Sequence, residues 1–427
     1  MLVTENLMQF IWKLRLFHVK KVRSTEGISL DVVHVGQFNT DAGPDFLMSH
    51  VKIGRQDWHG HVELHIRSSD WERHQHQNDE LYNNVILHVV WVNDKIIKRK
   101  DGTQIPTLVL SKFIEPKLLE KYAAMMNVRS WVPCEAQLSG IDDLKKSMWL
   151  DVLSYERLEM RVGEILLLLD HFGNDWEKIF WIWTCRCMGL KVNAHTFQEL
   201  GEKLPLEILQ KYRSDLFKIE ALFFGISGLI PDGERDSYAE KLHHEFNYQK
   251  NIHGLRVVHG AWKRLRMRPY NFPELRIAQL AVLFSVKGLG VSKILGLNSL
   301  EEARELFNIG SLNSYWKDHF SFNIQAIAEH SGKIGRNTID ILIINIVVLF
   351  LFTYGKYYGI QDYMDKAVFL LEMLPREMNV VIRNFSKYGL YTQNAFQSQG
   401  ILQLKTFYCE RKQCLHCRIG VEILQRS

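Results

Sequence analysis

The sequence predicts an α+β protein, in which a mixed α/β sheet domain is followed by a large all-α domain. Short segments rich in β-branched and alternating residues, typical of strands, occur before residue 112. Apolar residues at helical spacing dominate from residue 141 onward. A length of 427 residues, with 46% hydrophobic and 24% charged residues, indicates a globular protein of more than one domain. The predicted domains are 1–112 and 141–427, joined by a connecting region over 113–140.

The N-terminal domain is predicted to contain a helix, three strands, a helical segment and a fourth strand with a hairpin. Thr4 can cap the first helix, which is expected to end at about Phe17. Alternating and β-branched residues predict strands over 28–35, 46–53, 58–67 and 84–92. Asp101-Gly102 is a turn signal, so hairpin strands are expected over 96–100 and 104–110.

The C-terminal domain is predicted to be helical almost throughout. Apolar spacing predicts helices over 116–126 in the connecting region, and then over 148–169, 176–188, 205–225, 237–247, 274–286, 338–353 and 361–374. The most apolar run, 339–352, is shorter than the ~20 residues of a membrane span, so we expect a buried core helix. The first residues lack a basic segment, which predicts no signal peptide. We therefore expect a cytoplasmic protein without a membrane partner.

Two acidic residues and a histidine form the predicted catalytic site. Asp45 follows Gly43-Pro44 at the start of the second strand, and Glu63 and His65 share the polar face of the third. Carboxylates on neighbouring strands can hold a divalent ion, which polarises a phosphate and lowers the pKa of an attacking water. The alternative is that Asp45 is a turn residue and that Glu63 and His65 belong to a solvated face.

The strand register sets a condition on this site. If Ile53 and Trp58 flank the turn between the second and third strands, Asp45 opposes Ile66 on the apolar face. A bulge or an odd loop is then required to bring Asp45 beside Glu63 and His65.

The order helix, three strands, helix and strand, with Pro44-Asp45 and Glu63-Leu64-His65 at these positions, resembles the PD-(D/E)xK nuclease superfamily over residues 4–92. The resemblance implies a restriction-endonuclease-like fold and Mg²⁺ bound by Asp45 and Glu63. It also implies a third position that positions or activates water, usually lysine and here His65. Imidazole is shorter and mostly neutral at pH 7, so His65 can act as a base or a ligand, or the site can be inactive.

A second histidine pattern follows the third strand. His74, His76 and Asp79 form an H-x-H-x-x-D arrangement, whose imidazole and carboxylate groups suit a transition metal. The alternative is that these histidines lie in a surface loop.

The cysteines predict a second metal site. Three thiols lie within nine residues near the C-terminus, as Cys409-x4-Cys414-x2-Cys417, and Cys134 is the best candidate for a fourth ligand. Cys185 and Cys187 are rivals, although they lie in an apolar helical run. The arrangement resembles the iron–sulfur staple of some helicase-associated nucleases, and Zn²⁺ is the competing metal. The alternative is a set of reduced thiols.

A basic cluster suggests contact with nucleic acid. Lys263, Arg264, Arg266 and Arg268 follow Trp262, so that cations for phosphates stand beside an aromatic ring for unpaired bases. The alternative is a solvated helix end with paired charges. The net charge of +5 permits nucleic-acid binding without requiring it.

Several segments together resemble an uncharacterised bacterial family known as a domain of unknown function, over nearly the full chain. They are Gly43-Pro44-Asp45-Phe46, Val62-Glu63-Leu64-His65, Arg268-Pro269-Tyr270-Asn271-Phe272-Pro273 and the Tyr408-to-Cys417 segment. This resemblance implies no activity. The predicted function is that of a metal-dependent nuclease, or a degenerate relative, acting on DNA or RNA. The alternatives are a non-catalytic nucleic-acid-binding or scaffold protein with a structural metal site, and a hydrolase of another phosphoester. The sequence indicates no oligomeric state.

Overall fold

The computed structural model describes residues 3–258 and 260–426, and these residues form two compact units. The first unit contains residues 3–149, 387–390 and 404–426, and the second contains the rest. The compact units therefore do not follow the predicted domain boundaries, because the last residues of the chain cluster with the N-terminal sheet.

The first unit is built on a mixed sheet with helices, as the sequence predicts. Thr4 caps the first helix, since its side chain accepts a hydrogen bond from the Leu7 backbone N–H. In chain order, the elements are α1 Glu5–Lys13, β1 Leu30–His34, β2 Gln37–Phe38, β3 Phe46–Ile53, β4 Gln56–Arg67, α2 Asp70–Arg73, β5 Val85–Val92, β6 Thr107–Val109 and α3 Pro116–Asn127.

The strand order in this sheet is β1-β3-β4-β5-β6, with β2 paired to the end of β3. Strand β3 is antiparallel to β1 and β4, whereas β5 is parallel to β4 and β6. The hairpin predicted around Asp101-Gly102 is reduced to one bridge, between Lys98 and Gln104. The next strand pairs with β5 in parallel instead, because the chain crosses over before it rejoins the sheet.

The second unit is helical, as predicted. One predicted helix, 205–225, is two helices, because Asp215 begins a new one by accepting the Lys218 backbone N–H. A small hairpin of β7 and β8 lies in a region where no strand was predicted. In chain order, the elements are α4 Asp143–His171, which begins in the first unit, α5 Trp176–Met188, α6 Ala194–Lys203, α7 Leu206–Lys211, α8 Leu216–Ser227, α9 Ser237–His253, α10 Pro273–Ser285, α11 Val291–Leu295, α12 Leu300–Phe307, β7 His319–Ser321, β8 Ile324–Gln325, α13 Arg336–Leu342, α14 Leu349–Tyr358, α15 Gln361–Met373, α16 Val380–Lys387 and α17 Ala395–Gln403.

Helices α13 and α14 are joined by a π-helical segment, Ile343–Val348, into one helix. Among the described residues, this helix, Arg336–Tyr358, is the one long and apolar enough to cross a membrane, and its most apolar 18-residue window has a mean hydropathy of 2.1. Its most apolar window is 72% buried inside the protein, which is typical of a core helix. The π-helical segment leaves the Asn345 carbonyl available, and Trp183 Nε1 donates to it at 2.7 Å.

The C-terminal segment packs within the first unit. A second π-helical segment, Leu404–Cys409, is followed by the last helix, α18 Arg418–Gln425. Lys405 Nζ donates to the Trp131 carbonyl at 3.2 Å, and Arg426 Nη1 donates to the Gly140 carbonyl at 2.8 Å. These contacts fix both ends of the segment to the chain that follows α3.

Candidate metal and catalytic centre

A bulge in β3 sets the register of the predicted catalytic residues. Near the turn, Ser49 pairs with Gly60, whereas farther along Phe46 pairs with Val62. Strand β3 therefore holds one residue more than β4 over this interval. Met48 has a left-handed φ of 53° and is 73% exposed, which identifies it as the residue that the bulge accommodates.

The bulge brings Asp45 beside Glu63. Without it, the register near the turn would place Asp45 opposite Leu64, on the other face of β4. In the structure, the Asp45 backbone N–H donates to Glu63 Oε2 at 2.9 Å, and the Leu64 N–H donates to Asp45 Oδ2 at 3.0 Å. Gln9 Nε2 on α1 donates to Asp45 Oδ1 at 2.7 Å. The bulge that the predicted site requires is therefore present, and it brings Asp45 beside Glu63.

The two carboxyl groups lie in a poorly solvated environment. Burial raises the pKa of both, and the nearby Asp45 carboxylate raises the pKa of Glu63 further. Glu63 is only 6% exposed, so water provides little stabilisation of its charge. A cation bound here would favour the ionised form of the pair.

Three histidines lie beside Glu63. Glu63 Oε1 lies 3.5 Å from His65 Nε2 and 3.5 Å from His76 Nε2. His65 Nε2 lies 3.2 Å from His74 Nδ1. Across the described residues, His65, His74 and His76 are the one group of three metal-ligating side chains whose ligand atoms all lie within 4.8 Å of one another. We call Asp45, Glu63, His65, His74 and His76 the acid–histidine centre.

A left-handed residue places His74 and His76 on the same side of the chain. Residues two apart do not share a face of a helix. Here α2 ends at Arg73, Gln75 adopts a φ of 63°, and His76 begins a short 3-10 helix, His76–Asn78. His76 then stacks on Tyr82, with 3.8 Å between ring centroids. Asp79, the acid of the predicted H-x-H-x-x-D pattern, instead accepts the Leu81 backbone N–H at 3.0 Å.

His88 on β5 lies behind the centre. Its Nε2 is 2.9 Å from His65 Nδ1, in a fully buried position. Burial lowers the pKa of His65 to about 2, of His88 to about 3 and of His76 to about 4, and neighbouring histidines lower each further. All three imidazoles are therefore neutral at pH 7, which is the form that binds a metal ion.

An exposed cation stands at the open side of the centre. Arg73 Nη2 lies 3.4 Å from His74 Nε2, and Arg73 Nη1 lies 2.9 Å from Asp70 Oδ1. The Arg73 side chain is 67% exposed, so its remaining donors are accessible to an anionic substrate. Neither Arg73 nor Gln9 was predicted from the sequence, because no local pattern relates them to Asp45.

The cysteine quartet, which we define as Cys134, Cys409, Cys414 and Cys417, lies within the first unit. Burial raises the pKa of all four thiols, to about 12 for Cys134 and Cys414, and nearby quartet thiols raise those of Cys134, Cys409 and Cys414 further. The Gly420 and Ile419 N–H groups, at the start of α18, donate to the Cys417 sulfur.

The four thiols do not form the compact group that a single zinc ion requires. Within the described residues, no three of its sulfurs lie within 4.8 Å of one another. Zinc–sulfur bonds of ~2.3 Å would require sulfurs about 3.8 Å apart. The rival thiols Cys185 and Cys187 lie on α5 in the second unit, where Cys187 Sγ donates to the Asn345 carbonyl.

The predicted nucleic-acid-binding residues lie on an exposed loop of the second unit. Lys263, Arg264, Arg266 and Arg268 are all exposed, and the loop is not the helix end of the alternative interpretation. Arg264 Nε donates to Glu274 Oε1 at 3.0 Å, which neutralises one of the four cations. The neighbouring Trp262 is held within the second unit, because its Nε1 donates to the Ser227 carbonyl at 2.9 Å and its ring packs against Phe197.

Comparison with known proteins identifies a family without an assigned function. A family model described as "Protein of unknown function (DUF2851)" matches residues 5–380. No curated protein and no solved structure matched the chain. The matched residues include the acid–histidine centre, whereas Cys409, Cys414 and Cys417 lie beyond them.

Proposed function

The chain belongs to the DUF2851 family of proteins of unknown function, and from the geometry of its own residues we propose that it is a metal-dependent nuclease. One observation carries the proposal: the Met48 bulge places Asp45 and Glu63 together, beside a group of three histidines. The surrounding elements support it. An antiparallel β1-β3-β4 arrangement followed by a helical segment and a strand parallel to β4 is the order that the PD-(D/E)xK resemblance implies.

The residues of the centre fit a divalent ion. Three of the four carboxylate oxygens accept protein N–H groups, and the fourth, Glu63 Oε1, faces two imidazoles. The donors are therefore mixed nitrogen and oxygen, rather than the oxygen-only set that Mg²⁺ prefers. When bound, such an ion polarises the phosphoryl group and lowers the pKa of an attacking water.

The chain's own residues supply position and charge. The Asp45 backbone and carboxylate hold Glu63 and β4 in register, while Gln9 fixes the Asp45 side chain. Arg73 can pair with a phosphate oxygen beside His74. The exposed cations at Lys263, Arg266 and Arg268 are proposed to contact the phosphate backbone of DNA or RNA.

The proposal is tested by cleavage of single- and double-stranded DNA and RNA in the presence of Mg²⁺, Mn²⁺ or Zn²⁺. We expect Asp45→Asn to reduce cleavage by about 10–100-fold, because the new NH₂ group cannot accept the N–H groups of Gln9 and Leu64 that hold this side chain beside Glu63. Asp41→Asn is the matched control, since Asp41 is an exposed aspartate four residues earlier. Equal cleavage by wild type and Asp45→Asn, or no cleavage of any nucleic acid, would refute the nuclease. Cleavage of small phosphoesters alone would instead favour the phosphoester hydrolase that His74 and His76 beside Glu63 also suit.

A second candidate function, a scaffold with a structural metal site, is favoured by the cysteine quartet. We propose that these thiols hold an iron–sulfur cluster or a zinc ion that secures the C-terminal segment in a reducing, cytoplasmic environment. The cluster is the better fit, because its ligand sulfurs stand farther apart than those of a single tetrahedral ion. Iron and zinc analysis of wild type and Cys414→Ser tests the site, with Cys185→Ala as the control. Unchanged metal content in Cys414→Ser would eliminate the site.

A further inference from the structure

We propose that the acid–histidine centre binds one transition-metal ion through His65, His74, His76 and Glu63. The ligand atoms are His65 Nε2, His74 Nδ1, His76 Nε2 and Glu63 Oε1. This proposal deepens the proposed function, on which it rests for its catalytic consequence. Metal binding itself can be measured without a substrate.

Three of the separations between these atoms are close to those in a metal coordination sphere. For metal–ligand bonds of ~2.0–2.1 Å, tetrahedral geometry places neighbouring ligand atoms about 3.3–3.4 Å apart. The structure has 3.2 Å between His65 Nε2 and His74 Nδ1. Glu63 Oε1 lies 3.5 Å from His65 Nε2 and 3.5 Å from His76 Nε2. His74 is exposed, which leaves it free to adjust and leaves one side of the ion open to solvent.

An unpaired buried atom points to the same ligand. His76 Nε2 is buried without a hydrogen-bond partner among the described residues, although a buried nitrogen normally has one. A metal ion between His76 Nε2 and Glu63 Oε1 would bind both atoms. Since the Tyr82 ring holds His76 in place, the nitrogen stays directed at this position without a partner.

The ligand set selects the class of ion. Three imidazoles and one carboxylate suit Zn²⁺, Fe²⁺, Co²⁺ or Mn²⁺, whereas Mg²⁺ binds oxygen ligands and retains several waters. His65 Nδ1 faces His88 Nε2 at 2.9 Å, so a proton held there leaves Nε2 free for the ion. It follows that His65 is a metal ligand rather than the water-activating group that its place in the Glu63-Leu64-His65 motif implies.

The test is a titration of the full-length, chelator-treated protein with Co²⁺ and, separately, Mg²⁺, followed by the visible spectrum and by calorimetry. At this centre we expect one Co²⁺ with nitrogen and oxygen ligands, so its spectrum should lack a sulfur-to-cobalt charge-transfer band. We expect His74→Ala to weaken Co²⁺ binding at this site by at least about 10-fold. His59→Ala is the control, because His59 is also an exposed histidine and lies on β4, the strand that carries Glu63 and His65.

The cysteine quartet can bind Co²⁺ as well, so the same titration is made in Cys414→Ser. A site that persists in Cys414→Ser and is weakened in His74→Ala supports the proposal. Equal Co²⁺ affinity in His74→Ala and wild type would overturn it, as would binding of Mg²⁺ as tight as that of Co²⁺. Metal binding without nucleic-acid cleavage would refute the nuclease and leave this proposal intact. If His74→Ala changed neither nucleic-acid cleavage nor Co²⁺ affinity, the metal-site proposal would be refuted and the nuclease proposal would stand.

Discussion

In the metal-free protein, the charge on Glu63 should destabilise the fold, and Glu63→Gln should remove that effect. Glutamine fits the site, because its amide oxygen can accept the Asp45 N–H and its NH₂ group can face His65 Nε2 and His76 Nε2, where Glu63 has its two oxygens. The substitution therefore reproduces the protonated form of Glu63 at every pH.

The sign and size of the effect follow from the raised pKa of Glu63. Above the ordinary glutamate pKa of 4.5, the unfolded chain releases the proton while the folded chain retains it. Wild-type stability therefore falls, relative to Glu63→Gln, by up to about 1.4 kcal/mol for each pH unit until the raised pKa is reached. Between pH 5 and pH 7, the free-energy difference should widen by up to about 2.7 kcal/mol in favour of the variant.

The assay is urea denaturation of both proteins in a chelator at pH 5, 6, 7 and 8, followed by tryptophan fluorescence. Glu80→Gln controls for the loss of one negative charge, because Glu80 is an exposed glutamate in the same compact unit. A free-energy difference between Glu63→Gln and wild type that stays constant, or narrows, as pH rises would refute the reasoning. Saturating Co²⁺ should reverse the order, because the ionised wild-type side chain is a better ligand than an amide.

Three further predictions concern the supports of the two sites. Because a left-handed φ favours glycine, Met48→Gly should stabilise the protein by about 0.5–1 kcal/mol and Met48→Val should destabilise it by about 1–2 kcal/mol. Urea midpoints that rank the two variants the other way would contradict the left-handed conformation at the bulge. His88→Leu should lower Co²⁺ affinity by about 10–100-fold, because it removes the hydrogen-bond partner of His65 Nδ1. Circular dichroism controls for folding, and unchanged Co²⁺ affinity would show that His88 does not orient His65 for metal binding. Gly420→Ala should reduce the metal content of the cysteine quartet, because a Cβ at this position would overlap the Cys414 carbonyl. Full metal content in Gly420→Ala would contradict this expectation.

Much of the first unit could be predicted because its signals are local. Strand β3 spans the predicted residues, Phe46–Ile53, since burial follows from the alternation of its side chains. Thr4 caps α1 as expected, because a cap needs only its own next turn. Helix α1 ends earlier than predicted, at Lys13, where Arg15 turns left-handed with a φ of 53°.

The features that assemble the acid–histidine centre were harder to predict. The sequence could state that a bulge was required, but it could not place it, because Met48 is neither glycine nor asparagine, the usual left-handed residues. The same holds for Gln75, whose left-handed turn brings His74 and His76 together. Both positions adopt an unfavourable backbone conformation that only tertiary contacts can stabilise.

The location of the cysteine quartet illustrates a different limit. Cys134 was named as the fourth thiol from its place in the chain, and its inclusion in one compact unit with Cys409, Cys414 and Cys417 depends on contacts between residues far apart in sequence. Such contacts leave no periodic pattern that a single sequence reveals. The hydrogen bond from Lys405 to Trp131 is one of them.

The split composition of the first unit has a consequence for the synthesis of the protein. Residues 3–149 leave the ribosome before residues 404–426, which belong to the same unit. At ~5–20 residues per second, the intervening chain takes roughly 12–50 s to translate. During that interval, the surface that later contacts Lys405 and α18 remains uncovered, and Cys134 lacks the other three thiols of the quartet. Folding of the unit that contains residues 3–149 therefore depends on residues 404–426, and a chain that terminates before residue 404 would leave this unit incomplete.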